Sequence, residues 1–143
     1  MDIRATSKTD LETIRNWIEL DPWHQGSDRC RADFLLSGAG GILAFCLEDE
    51  HGPVAFVRLD KDDKRVRLAT QFAPENIVSK RRLVVGMARL GIPVALKFAK
   101  DKGYEGIVFE SISPSLISFM ARYNFKHDKD NDYLLKFEER QDG

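Results

Sequence analysis

Three cations in a row, Lys80-Arg81-Arg82, stand directly after Ser79 and shortly before Gly86. Ser79 has the side chain to cap a helix there, and a helix start presents unpaired amides and the positive end of the macrodipole. Cations in a first turn cost about 0.3–1 kcal/mol each, and a bound anion reverses that penalty. The run therefore reads as an anion site, or else as three solvated basic side chains beside a helix start. Gly86 has two matching readings: close approach of the backbone to phosphate groups, or close packing against a strand. Other chemistries find no spacing to support them. His24, His51 and His127 with Cys30 and Cys46 make no metal-ligand pattern, so no metal is expected. Ser111, Ser113 and Ser115 read as turn and cap residues, not as members of a hydrolytic triad.

The elements that must hold this cationic turn follow from periodicity. Met1–Ala5 is a short strand. Thr9 with Glu12 fits a capping box opening a helix, in which Leu11, Ile14 and Ile18 recur at helical spacing until Asp21-Pro22. Ser27 can cap a second helix, Asp28–Leu36, ended by the Ser37–Gly41 run. Three strands follow, Ile42–Glu48, Val54–Leu59 and Arg65–Phe72, joined by tight turns into an antiparallel meander. The long helix after Ser79 carries a stripe of Leu83, Met87, Leu90, Val94 and Phe98, and Gly103 lies past its end. Pro93 predicts a kink or restart near Gly91. Gly106–Glu110 is a buried strand, Ser113-Pro114 opens a helix through Tyr123, Asn124 is a left-handed terminator, and Asp132–Phe137 is the last strand. The order β-α-α-β-β-β-α-β-α-β predicts an α/β chain of the α+β type, one mixed, mainly antiparallel sheet with helices on both faces.

Composition narrows the field further. With 143 residues the chain suits one domain, taken as 1–137 with 138–143 a disordered tail. Its 22 basic and 23 acidic residues nearly cancel, which gives no footprint for nucleic acid. The apolar runs are of strand length, so no membrane span is expected, and MDIRATSKTD lacks the apolar centre of a secretory leader. Two cysteines without a framework predict a reduced, cytoplasmic protein.

The order of elements resembles the GNAT (Gcn5-related N-acetyltransferase) superfamily over almost the whole chain. Ala99-Lys100-Asp101-Lys102-Gly103-Tyr104 and the strand after it look like that family's cofactor helix end and fifth strand. The family's [Arg/Gln]-x-x-Gly-x-[Gly/Ala] signature falls on Leu83-Val84-Val85-Gly86-Met87-Ala88, where Gly86 and Ala88 match and Leu83 departs. Ser113-Pro114 through Asn124-Phe125 is similar to the family's Asn-Pro … Tyr … Gly-Phe segment, with Ser113 for asparagine, Met120 at the tyrosine position and Asn124 for glycine.

The resemblance implies acetyl-CoA as co-substrate, its phosphates held by Lys80, Arg81, Arg82 and the Gly86–Ala88 turn. It implies an acyl group beside Gln71, Phe72 and Ala73, where the fourth strand splays from the fifth. Glu110, at the end of that fifth strand, is either a base or amine ligand, or simply a carboxylate at a strand terminus. Tyr123 lies three residues after the expected acid, near the same helix face. It either protonates the departing thiolate or packs under the last strand. Trp23 and His24 fall in the loop expected to cover the acceptor pocket, to select an amine or act as a lid. The implied activity is transfer of an acetyl group to the amine of a small molecule or a protein by direct attack in a ternary complex. The alternative is a degenerate domain that binds acyl-CoA or a protein partner without turnover. Pairing of two copies through an edge strand is common in the superfamily.

Overall fold

A computed structural model describes residues 1–20, 43–74 and 76–138. Its frame is a seven-stranded sheet in the order β1-β2-β3-β4-β5-β7-β6. Strand β1 (Asp2–Ala5) lies antiparallel to β2 (Leu43–Asp49), which pairs with β3 (Gly52–Asp62) and that in turn with β4 (Arg65–Phe72). Strand β5 (Gly106–Glu110) runs parallel to β4 and antiparallel to β7 (Asp132–Lys136). The mixed α+β architecture is therefore the one expected from the sequence. One strand is additional: Lys126–His127 forms β6, a hairpin partner of β7 between Asn124 and the last expected strand. Strand β3 also exceeds its expected bounds at both ends: Gly52 and Pro53 pair with Asp49 and Glu48 of β2, and the charged continuation Asp60–Asp62 pairs with Arg65–Arg67 of β4. The expected helix at 28–36 lies outside the described residues.

The first helix starts earlier than its sequence suggests. Ser7 and Asp10, not Thr9 and Glu12, make the capping contact. The Asp10 carboxylate accepts from the Ser7 amide at 2.9 Å, and a 3₁₀ turn (Lys8–Asp10) leads into α1 (Leu11–Leu20). The reason is Arg4, whose guanidinium donates to both Asp10 oxygens at 2.7 and 2.8 Å and fixes that carboxylate beneath the turn. Helix α1 buries Ile14 and Trp17 on one face of the sheet against Cys46, Val54 and Phe56, with the Trp17 and Phe56 rings 5.0 Å apart.

The opposite face carries the larger core. Phe45, Leu47, Ala55, Val57, Leu59, Val66, Leu68, Ile107 and Phe109 of the strands meet Met87, Ile92, Ala95 and Ala99 of the long helical stretch and Met120 of α4 (Pro114–Ala121). That stretch comprises α2 (Lys80–Gly86), a π-helical segment (Met87–Gly91) and α3 (Ile92–Asp101). The π segment ends two residues before Pro93, where the missing proline N–H and the ring's bulk make regular hydrogen bonding impossible. Gly103 takes φ +83° just past the helix end, a conformation that costs other residues a Cβ clash. Ser113 caps α4 through its Oγ, which accepts from the Leu116 amide, and Asn124 closes that helix at φ 72°.

Candidate active site

The parallel junction between β4 and β5 is short. Val66, Arg67 and Leu68 pair with Ile107, Val108 and Phe109, and there the ladder stops. Strand β4 continues to Phe72 along β3, while β5 ends at Glu110 and the chain turns into the Ser113 cap. The two strands part beyond Leu68. Alternation along the β3–β4 ladder turns the peptide groups of Thr70 and Phe72 toward the β5 side, outside that ladder. An exposed isoleucine stands in the loop after each strand, Ile77 beyond β4 and Ile112 beyond β5.

Residues of the sequence-derived site take up distinct places around this opening. Gln71 is buried on the α1 face opposite Phe56, and its side-chain amide donates to the Phe72 carbonyl at 3.3 Å. Phe72 is half-buried and packs with the larger core. The Ala73 amide is already committed to the Val54 carbonyl at 3.1 Å, so Ala73 offers a ligand no free N–H.

The basic run divides. Ser79 caps α2 by accepting from the Arg82 amide at 3.2 Å, and Lys80 and Arg81 project into solvent at that helix start. Arg82 turns instead toward the β2–β3 hairpin, donating from Nε and Nη2 to the two oxygens of Asp49 at 2.7 and 2.6 Å. Those charge-assisted hydrogen bonds hold the Asp49 carboxyl below its usual range. Gly86 faces inward: a Cβ there would meet the Met1 methyl at 3.0 Å and Val54 at 3.9 Å. Ala88 is half-buried in the π segment.

Glu110 is exposed at the end of β5, directly opposite Asp132 of β7. Tyr123 is elsewhere. It sits edge-on to Phe119 and lines an open cleft of about 1500 Å³ that runs from Lys100 and Tyr104 to His127 and Asp128 of the β6–β7 hairpin. Glu110 is not among the residues that line that cleft. Met120 is 1% exposed within the larger core and presents nothing to solvent. Trp23 and His24 fall outside the described residues.

Three features escape a reading of the sequence. Asp49 is the partner of Arg82 and stands 33 positions away from it. Arg67 is joined to Asp132 across 65 positions, and no local spacing signals either contact. Cys46 is fully buried, and burial pushes its thiol up to about 12, which leaves it protonated and inert. Among the described residues no group of three or more histidine, cysteine and acidic side chains could hold a metal. No described helix is long and apolar enough to cross a membrane.

This architecture is that of the GNAT acetyltransferases. A GNAT-family acetyltransferase from Staphylococcus aureus superposes with a TM-score of 0.71 over 94% of this chain and 98% of its own, at 16% identity. Another from Brucella melitensis, solved in complex with acetyl-CoA, gives 0.64 over 96% and 88%, at 17% identity. The PaiA N-acetyltransferase from Thermoplasma acidophilum, solved with coenzyme A, gives 0.64 over 95% and 98%, at 19% identity. No protein-family model matches the sequence. Nor does any curated protein.

Proposed function

We propose that this chain is an acetyl-CoA-dependent N-acetyltransferase acting on the amine of a small molecule or a protein. The observation that carries the reading is the β4–β5 junction, parallel for three residue pairs and then open, followed by a helix whose start exposes Lys80 and Arg81. An opening between two strands supplies peptide donors and acceptors for an extended thioester arm. Cations and unpaired amides at the helix start suit its phosphates. Arg82 contributes less to that site than its neighbours, since Asp49 already neutralises it.

Transfer requires a neutral amine nitrogen to attack the acetyl carbonyl. The carbon–sulfur bond then breaks, one proton leaves the nitrogen, and one reaches the thiolate. Glu110, exposed at the end of β5, is read as the carboxylate that receives the amine's proton or holds the amine as its ammonium form. Gln71 and Phe72 belong to the β4 segment that borders the acyl end. Trp23 and His24 are assigned to the acceptor side on the likeness alone.

A second reading, an acyl-CoA-binding domain without turnover, draws on α4. Its tyrosine position is the buried Met120, and Tyr123 lines a cleft that does not include Glu110. Calorimetric titration of the purified protein with acetyl-CoA and CoA tests both. Micromolar binding followed by thiol release with an amine panel supports the enzyme, binding without release supports the second reading, and no binding at millimolar ligand rejects both.

A further inference from the structure

Arg67 leaves β4 on the α1 face of the sheet and reaches across β5 to β7. Its Nη1 and Nη2 each donate to one oxygen of Asp132 at 3.0 Å, and its Nε donates to Asp62 at 3.1 Å. In register, Arg67 stands opposite Val108 and Asp132 opposite Glu110, so the guanidinium spans the whole width of β5, two strand spacings or about 10 Å. The pair is largely withdrawn from water, with side-chain exposures of 15% and 11%. A weaker, more exposed contact runs beside it, Arg65 to Asp128 at 3.4 Å.

The position of this strap matters more than its strength. Leu68↔Phe109 is the last pair before β4 and β5 part, and Arg67 is the residue immediately before it. The parallel junction has only three pairs to fix the angle of the opening, whereas the antiparallel β5–β7 ladder has five. A bidentate guanidinium–carboxylate pair adds a directional tie that a ladder of three pairs lacks. It also neutralises Asp132, the carboxylate facing Glu110 across the β5–β7 ladder.

We infer that the Arg67–Asp132 pair is a positioning device that sets the β4–β5 opening so that it distinguishes an acetylated from a free thiol cofactor. This rests on the acetyl-CoA reading. A fixed opening holds the Thr70 and Phe72 amides, which the β3–β4 register turns toward β5, where an acyl carbonyl can be hydrogen-bonded. A loosened one still admits the pantetheine arm but loses that preference.

The test is the ratio of acetyl-CoA to CoA affinity, measured by calorimetry in the full chain, Arg67→Lys, Asp132→Asn and the double variant. Arg67→Lys keeps the charge and loses the fork; Asp132→Asn keeps the shape and carries the test alone if the lysine variant fails to fold. The expected result is tighter binding of acetyl-CoA by the unaltered chain. Each variant should lose about tenfold for acetyl-CoA and less than about twofold for CoA, with no further loss in the double variant. An equal fall for both ligands would reduce the strap to a structural role and overturn the inference. So would an unchanged ratio in the variants, or no preference in the unaltered chain. Failure of the unaltered chain to bind either ligand would overturn the acetyl-CoA reading and the inference with it.

Discussion

Arg82 and Asp49 are joined by two hydrogen bonds, 2.7 and 2.6 Å, that tie the first turn of α2 to the β2–β3 hairpin. The contact removes one of three adjacent cations from the helix start and leaves Lys80 and Arg81 as the charges available to an anion. Side-chain exposures of 30% and 15% place the pair partly in water, where such a bridge contributes about 0–1 kcal/mol. Its effect is on placement of charge more than on stability.

Asp49→Asn is expected to release Arg82 toward the helix start and to tighten CoA binding about two- to fivefold. Arg82→Ala should change CoA affinity by less than about twofold, because that charge is already neutralised, while the double variant Lys80→Ala/Arg81→Ala should weaken it about tenfold. Calorimetry at low salt reads all three. A large loss in Arg82→Ala alone would mean that Arg82 exchanges Asp49 for the ligand.

Gly106 tests the packing of the sheet. A Cβ at this position would press into the Leu135 carbonyl oxygen and lie 3.2 Å from Lys136 Cα, both of them backbone of β7. Gly106→Ala must therefore move β5 away from β7, at a cost of about 1–3 kcal/mol. Gly86→Ala meets chiefly the end of the flexible Met1 side chain, which can turn aside. Urea denaturation should show a clear drop in midpoint for the first substitution and a small change for the second.

Most of the fold is legible from short-range signals. Alternation in Arg65–Phe72, the Ser79 and Ser113 caps, the glycine after the long helix and the left-handed Asn124 each act within a few residues, and each appears in the structure as read. Pro93 announces the irregularity found as the π segment. What sequence does not carry is the choice between equivalent local patterns. Ser7-x-x-Asp10 and Thr9-x-x-Glu12 are both capping boxes on paper, and the contact with Arg4, six residues back in β1, selects the first. Likewise the run Lys80-Arg81-Arg82 looks uniform until Asp49 arrives from another hairpin. Short β6 pairs only because β7 is already fixed to β5.

Tyr123 decides how far α4 takes part in chemistry. Its ring packs edge-on against Phe119 and it lines a cleft that does not include Glu110, which predicts that Tyr123→Phe leaves acetyl-CoA affinity unchanged and thiol release within about twofold. Steady-state rates with an accepted amine measure this. A fall of about a hundredfold in turnover at constant cofactor affinity would assign the hydroxyl to proton delivery, the role its sequence position suggests.

Acid should weaken the fold through three aspartates. Asp10, Asp49 and Asp132 are each held below the ordinary carboxyl range, first by hydrogen bonds from Arg4, Arg82 and Arg67 respectively. A carboxyl with a lower pKa folded than unfolded stabilises the fold fully above the unfolded value, about 3.9. That contribution is lost as pH falls through the folded value, because the unfolded chain then takes up protons first. Urea midpoints should accordingly be flat from pH 7 to about 5 and decline steadily below. Asp10→Asn should start lower at neutral pH, by about 1–2 kcal/mol, since it removes the carboxylate from both the Ser7 amide and Arg4. Its profile should then fall less steeply toward pH 3 than that of the unaltered chain. Parallel profiles for the two proteins would show that Asp10 titrates alike in the folded and unfolded states and that Arg4 does not hold its charge.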